Sequence, residues 1–152
     1  MGFLSRLIGG GAQPRDLLAD LSENYRAEVE QAALLRAQAE RARYPQAAEE
    51  LRRLAEIEDR HAGWLRDHLS TLGGRPPDVA APAVMGSNQW ERVVAAHKSA
   101  QTKRRRLIEQ IAHWDPEEPD TVSLLHRIEQ EDTREQRAYE GLIMRSDPQA
   151  LD

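Results

Sequence analysis

The sequence predicts an all-α protein, a four-helix bundle made of two antiparallel helical hairpins joined by a long crossover. Three observations lead to it. The prolines and glycines gather in a few places and leave four proline-free segments, at about 16–43, 46–72, 88–114 and 120–145. Those segments are rich in Ala, Leu, Glu, Gln and Arg, the strong helix formers. Within them apolar residues recur three and four apart, the spacing of one helical face.

In the first segment the stripe runs through Leu18, Leu21, Tyr25, Glu28, Ala32, Leu35 and Ala39. The second carries Leu51, Leu54, Glu58, His61, Leu65, His68 and Leu72. The third is less regular, and its best stripe passes through Trp90, Val94, His97, Gln101, Ile108 and Ile111. Leu124, Ile128, Glu131, Glu135, Ala138 and Leu142 mark the fourth.

Connection lengths set the topology. Short breaks at Tyr44-Pro45 and between Asp115 and Pro119 make each consecutive pair an antiparallel hairpin. The middle connection, residues 73–87, is far longer. A helix of about 26 residues is about 39 Å long, and roughly 16 extended residues reach about 53 Å, so this segment can travel the whole bundle. An exchange of hairpins between protomers is the other use for such a linker. The bundle is thus expected over 16–146, after a leader at 1–15 in which Phe3, Leu4, Leu7 and Ile8 form a short amphipathic patch. That patch, residues 3–8, is a candidate contact for a protein partner or a membrane surface, with a frayed terminus as the plain alternative.

Composition narrows the function. With 26 acidic against 21 basic residues the formal charge is −5, which argues against coating nucleic acid. The one basic cluster, Lys103-Arg-Arg-Arg106, winds around its helix instead of forming a flat phosphate-binding face. There is no cysteine, which excludes disulfides, thiolate metal sites and a cysteine nucleophile. No apolar run nears the roughly 20 residues of a membrane span, and no secretory signal is read at the start. A cytoplasmic protein is expected. The tryptophans Trp64, Trp90 and Trp114 read as core or dimer-contact residues, and a homodimer or higher homo-oligomer is expected.

The more informative feature is an internal repeat. Glu56-Ile-Glu-Asp-Arg-His61 aligns with Glu129-Gln-Glu-Asp-Thr-Arg134 at an offset of 73, and the same offset carries Tyr25 to Lys98 and Glu28 to Gln101. Glu58 and His61, three apart, lie on one helix face, where a carboxylate and an imidazole can converge on one internal point. In a hairpin turning near Tyr44, Glu28 stands level with them. Such ligands suit iron or manganese, and burying them uncompensated would be expensive.

The Glu58-x-x-His61 pair, midway along its helix after the Arg43-Tyr-Pro-Gln-Ala-Ala48 turn, resembles the ferritin-like superfamily and most closely its rubrerythrin branch. The resemblance covers most of the chain in helix count, lengths and crossover. It implies a ferritin-like bundle holding two metal ions, usually iron, on a Glu from each of two helices and a Glu-x-x-His from each of the other two. It also implies iron oxidation or peroxide reduction. The second hairpin departs from that pattern, with Gln101 for a carboxylate and Arg134, always protonated, for a histidine. Glu131 is kept, and Asp132, Glu135 or His97 are substitutes in a shifted register.

Two readings stay open. In one, a partial metal site uses Glu28, Glu58, His61 and Glu131, with iron or manganese bound. In the other, Arg134 and Lys98 pair with the carboxylates where the ions would be, and the bundle is a metal-free scaffold or partner-binding module. Without cysteine there is no rubredoxin-like iron site of the kind some rubrerythrins carry, so redox activity would need an external electron donor.

Overall fold

The computed structural model describes residues 15–150. The amphipathic patch at residues 3–8 lies outside them. Four helices follow in order: α1, Leu17–Arg41; α2, Pro45–Thr71; α3, Gln89–Trp114; and α4, Pro119–Met144. Among the described residues no helix is long and apolar enough to cross a membrane.

Local chemistry sets the ends. The Asp16 carboxylate accepts from the Leu18 and Ala19 amides at the start of α1, and Asn88 Oδ1 accepts from the Glu91 amide at the start of α3. Both satisfy donors that the first turn leaves open. α2 and α4 open instead on Pro45 and Pro119, whose missing N–H costs nothing in a first turn. At the end of α2, Gly73 takes a positive φ of 80° and its amide donates to the Ser70 carbonyl, the left-handed exit that glycine favours.

Helices α1 and α2 pack as one antiparallel hairpin and α3 and α4 as another, with α1 against α3 and α2 against α4. Asn24 bonds Gln110 and Gln38 bonds the Arg92 carbonyl, so α1 and α3 also run antiparallel. Arg53 pairs with Glu135 and His68 with Thr121, giving the same sense to α2 and α4. The crossover leaves α2 where the Leu18 side chain closes on Gly74. It enters α3 at the opposite end, where Asn88 donates to the Pro148 carbonyl and Gln89 to Ser146. The linker therefore runs the length of the bundle.

The core is split in two. One apolar cluster, including Leu35, Leu51, Leu54, Val93, Ala96, Tyr139 and Leu142, fills the half toward the α1–α2 turn. A second, with Leu21, Leu65, Leu69, Leu107, Leu125 and Ile128, fills the other half. Between them lies a layer of buried charge. The buried face of α3 differs from the expected one. It runs through Val93, Ala96, Lys103, Leu107, Gln110 and Trp114, while Gln101 and Ile108 are exposed. On α4, Leu125, Ile128, Tyr139 and Leu142 are buried, which turns Asp132 inward. These rotations decide what the middle layer contains.

Candidate functional site

Each helix contributes to that layer. Glu28 from α1, Glu58 and His61 from α2 and Lys103 from α3 are fully or nearly fully buried. Asp132 from α4 has a side chain 8% exposed. The Lys103 ammonium donates to Glu28 Oε2 at 2.7 Å and to Glu58 Oε2, and lies 3.6 Å from Asp132 Oδ2. A single cation thus stands among three carboxylates from three helices. The His61 ring faces them from the side. Its Nδ1 is 3.7 Å from Glu28 Oε2 and 3.6 Å from Asp132 Oδ1, and its Nε2 bonds Glu131 Oε2 at 2.8 Å.

Glu131 sits at the rim, where Arg60 also donates to it at 2.9 Å. Trp64 covers the outer side of His61, ring centroids 5.3 Å apart, and the Arg127 guanidinium lies 3.8 Å above the indole. Behind the carboxylates, Gln31 Nε2 donates to the Tyr139 hydroxyl and to the Ala96 carbonyl, each at 3.0 Å. A cavity of about 10 Å³ beside Glu58, Asp132, His97 and Tyr139 has room for about one water.

Burial and neighbouring charge set the protonation of the layer. Burial pushes the Glu58 carboxyl up, Lys103 beside it only partly offsets this, and Glu28 adds to it, so its pKa reaches about 8. For Glu28 the same burial is outweighed by Lys103, with the neighbouring Glu58 and His61 helping, and the pKa is lowered. Burial works against His61 charging, but the Glu28 carboxylate 3.7 Å from its Nδ1 and the other surrounding carboxylates win and raise it to about 9. Asp132 is raised by burial to about 6. Lys103 is buried too, yet Glu28, Glu58 and Asp132 hold it well above the ordinary lysine range. Burial thus favours a protonated Glu58, while Lys103 and His61 are held toward their charged forms beside Glu28 and Glu131, whose carboxyls are lowered.

Of the sequence-level candidates, Glu28, Glu58, His61 and Glu131 come together. Arg134 and Lys98, expected to supply the compensating charge, do not: both are exposed. The buried cation is Lys103, two places beyond Gln101. Asp132 takes the inward position beside it, one place beyond Glu131. The signal for Lys103 lay in α3 itself, where Val93, Ala96, Ala100, Lys103, Leu107, Gln110 and Trp114 alternate three and four apart.

The donor set does not fit two metal ions, because a protonated amine occupies the centre and, among the described residues, His61 is the one imidazole grouped with carboxylates at ligand spacing. It does fit one. Glu28, His61 and Asp132 each offer a ligand atom, all within 4.8 Å of one another. The 3.6 and 3.7 Å separations are slightly longer than the edges of about 3.0–3.4 Å expected around an ion with bonds of about 2.1 Å. His61 Nδ1 and Glu28 Oε1 also have no hydrogen-bond partner.

Four antiparallel helices with a full-length crossover and a mid-bundle layer of carboxylates and histidine define a ferritin-like bundle. The chain belongs to the rubrerythrin family, whose model, described as Rubrerythrin, matches residues 20–137. Comparison with curated proteins gives no match.

Proposed function

We propose that this chain is a metal-independent member of its family, a helical module that acts through its surface. In this reading the Lys103 ammonium does the charge-balancing work that metal ions do in relatives with intact sites. The supporting observation is the position of Lys103 among Glu28, Glu58 and Asp132. Lys103 stands among the buried carboxylates, Arg60 pairs with Glu131 at the rim, and burial pushes the Glu58 carboxyl toward its protonated form, so the layer carries its own charge compensation. A divalent ion placed against a buried ammonium would meet a like charge at short range in a medium of low dielectric. The module is proposed to work as a homodimer or larger homo-oligomer in the cytoplasm, with residues 3–8 as a contact for a protein partner.

A second reading is favoured by the unpaired His61 Nδ1 and Glu28 Oε1. Here Glu28, His61 and Asp132 hold one iron or manganese ion, with Glu58 or Glu131 completing the set. A bound iron would supply oxygen- or peroxide-linked redox chemistry. The chain's own contribution is a neutral His61, whose proton Glu131 is placed to accept, and a Trp64 lid that limits water at the imidazole.

Metal content separates the two. After anaerobic loading with ferrous or manganous ion and desalting, the first reading expects less than about a tenth of an equivalent per chain, unchanged in His61→Ala. About one equivalent, lost in His61→Ala and in Glu28→Ala, would establish the second and remove the first.

A further inference from the structure

The turn end of the bundle carries a cleft unrelated to the buried layer. The ends of α1, α3 and α4 and the α1–α2 turn line it. Arg41 comes from the last turn of α1, Arg43 and Tyr44 from the α1–α2 turn, Gln89 from the start of α3, and Arg145 and Asp147 from the end of α4. Its volume is about 490 Å³, within the range of roughly 300–1,000 Å³ usual for small-molecule sites. Three guanidiniums face a single acid among the lining residues. None of the three has an ion-pair partner within 4 Å among the described residues, although Arg145 adds to the field that holds Glu50 down.

Arg41 and Arg145 lie near helix C-termini, where positive charge is ordinarily favourable. Arg43 follows one place beyond the α1 C-cap, Ala42. It adds to the start of α2, which has no acidic residue in its first turn and no side-chain cap on its open amides. α1, α3 and α4 each carry an acid in the first turn. Three guanidiniums and the start of α2, without a side-chain cap, thus meet at one cleft. Beside it Tyr44 leaves its ring 55% exposed, with the Arg43 guanidinium 5.8 Å from the ring centroid. Guanidiniums are forks for phosphate oxygens, and an exposed aromatic ring beside them is a stacking surface for a planar group.

We propose that this cleft binds a small phosphate monoester that carries a planar ring, of which a nucleoside monophosphate is the simplest example. Arg41, Arg43 and Arg145 take the phosphate and Tyr44 stacks on the ring. The proposal is independent of whether the buried layer holds metal.

The test is a heteronuclear NMR titration of the full chain with adenosine monophosphate, inorganic phosphate and adenosine in turn. Saturable shifts confined to residues around Arg43, Tyr44, Gln89 and Arg145 are expected with the nucleotide, and weaker binding with phosphate at the same residues. Arg41→Gln and Arg145→Gln should each weaken the nucleotide roughly tenfold. Tyr44→Ala should weaken the nucleotide and leave phosphate unchanged. All three positions are exposed, and matching thermal melts will show that the variants fold. No saturable shift up to about 10 mM, equal affinity for nucleotide and phosphate, or indifference to the arginine variants would each overturn the assignment.

Discussion

Lys103 is the residue on which the account turns. Removing its charge while keeping its bulk, as in Lys103→Met, leaves Glu28, Glu58 and Asp132 facing one another without their cation. Breaking a buried ion pair from one side typically costs about 3–5 kcal/mol, and urea denaturation at pH 7 is expected to show a loss of that size. The pH dependence has a definite sign. His61, raised to about 9 in the folded state, gives stability that is complete below its ordinary value near 6.5 and lost as pH rises through 9. Glu58, raised to about 8, likewise favours the folded state while protonated, and that advantage fades from about 4.5 to 8. Glu28 and Glu131, both lowered, give stability that is lost as pH falls below the ordinary carboxylate range. Asp132, raised to about 6, adds to the fading of Glu58, so melting temperatures are expected to peak at about pH 4–5 and to decline toward pH 9.5, with His61→Gln flattening the upper part of the decline. A melt rising from pH 7 to 9.5 would contradict the charge assignment. Glu58 and His61 were legible in the sequence because residues three apart share a face whatever the helix packs against. Lys103 was not, because a Lys-Arg-Arg-Arg run reads as a solvated cluster and its burial depends on how α3 is rotated.

That rotation is an element-scale matter. The four helices were visible from their prolines, glycines and composition, since these act locally. The inward face of α3 was harder to see. Two competing stripes pass along it, and the one through Trp90, Val94 and His97 contains the bulkier residues. The stripe that is buried includes Ala96, Lys103 and Gln110, which packing against α1 selects. Asn24, Gln31 and Gln38, seven apart on α1, each bond a group on α3, and together they define its position along and around α1. Gln31 also holds the Tyr139 hydroxyl. Gln31→Ala would strand that hydroxyl in the core, and leaving a buried polar group unsatisfied costs about 1–3 kcal/mol. Urea denaturation should register a loss in this range, and none at all would show that α3 does not depend on the ladder.

At the scale of the molecule, the long segment between Gly73 and Asn88 determines that the two hairpins pack as they do. Its use as a full-length crossover could be argued from the sequence by length alone, because a short loop would have sufficed for consecutive antiparallel neighbours. What the sequence did not disclose is that the apolar core would be divided by a charged layer, since that depends on all four rotations at once. Deleting six residues from within 75–84 leaves about ten, which reach about 35 Å against a helix of about 39 Å. The shortened chain is expected to lose cooperative melting or to exchange hairpins into an assembly larger than that of the wild type, measured by light scattering. A wild-type melt and size would mean that the crossover is not under this constraint. The most direct test of the central claim is an anomalous difference map from crystals grown with manganous or ferrous ion. The account predicts side-chain density for Lys103 among Glu28, Glu58 and Asp132 and no anomalous peak in the layer. A peak bonded to Glu28, His61 and Asp132, with Lys103 turned away, would contradict it.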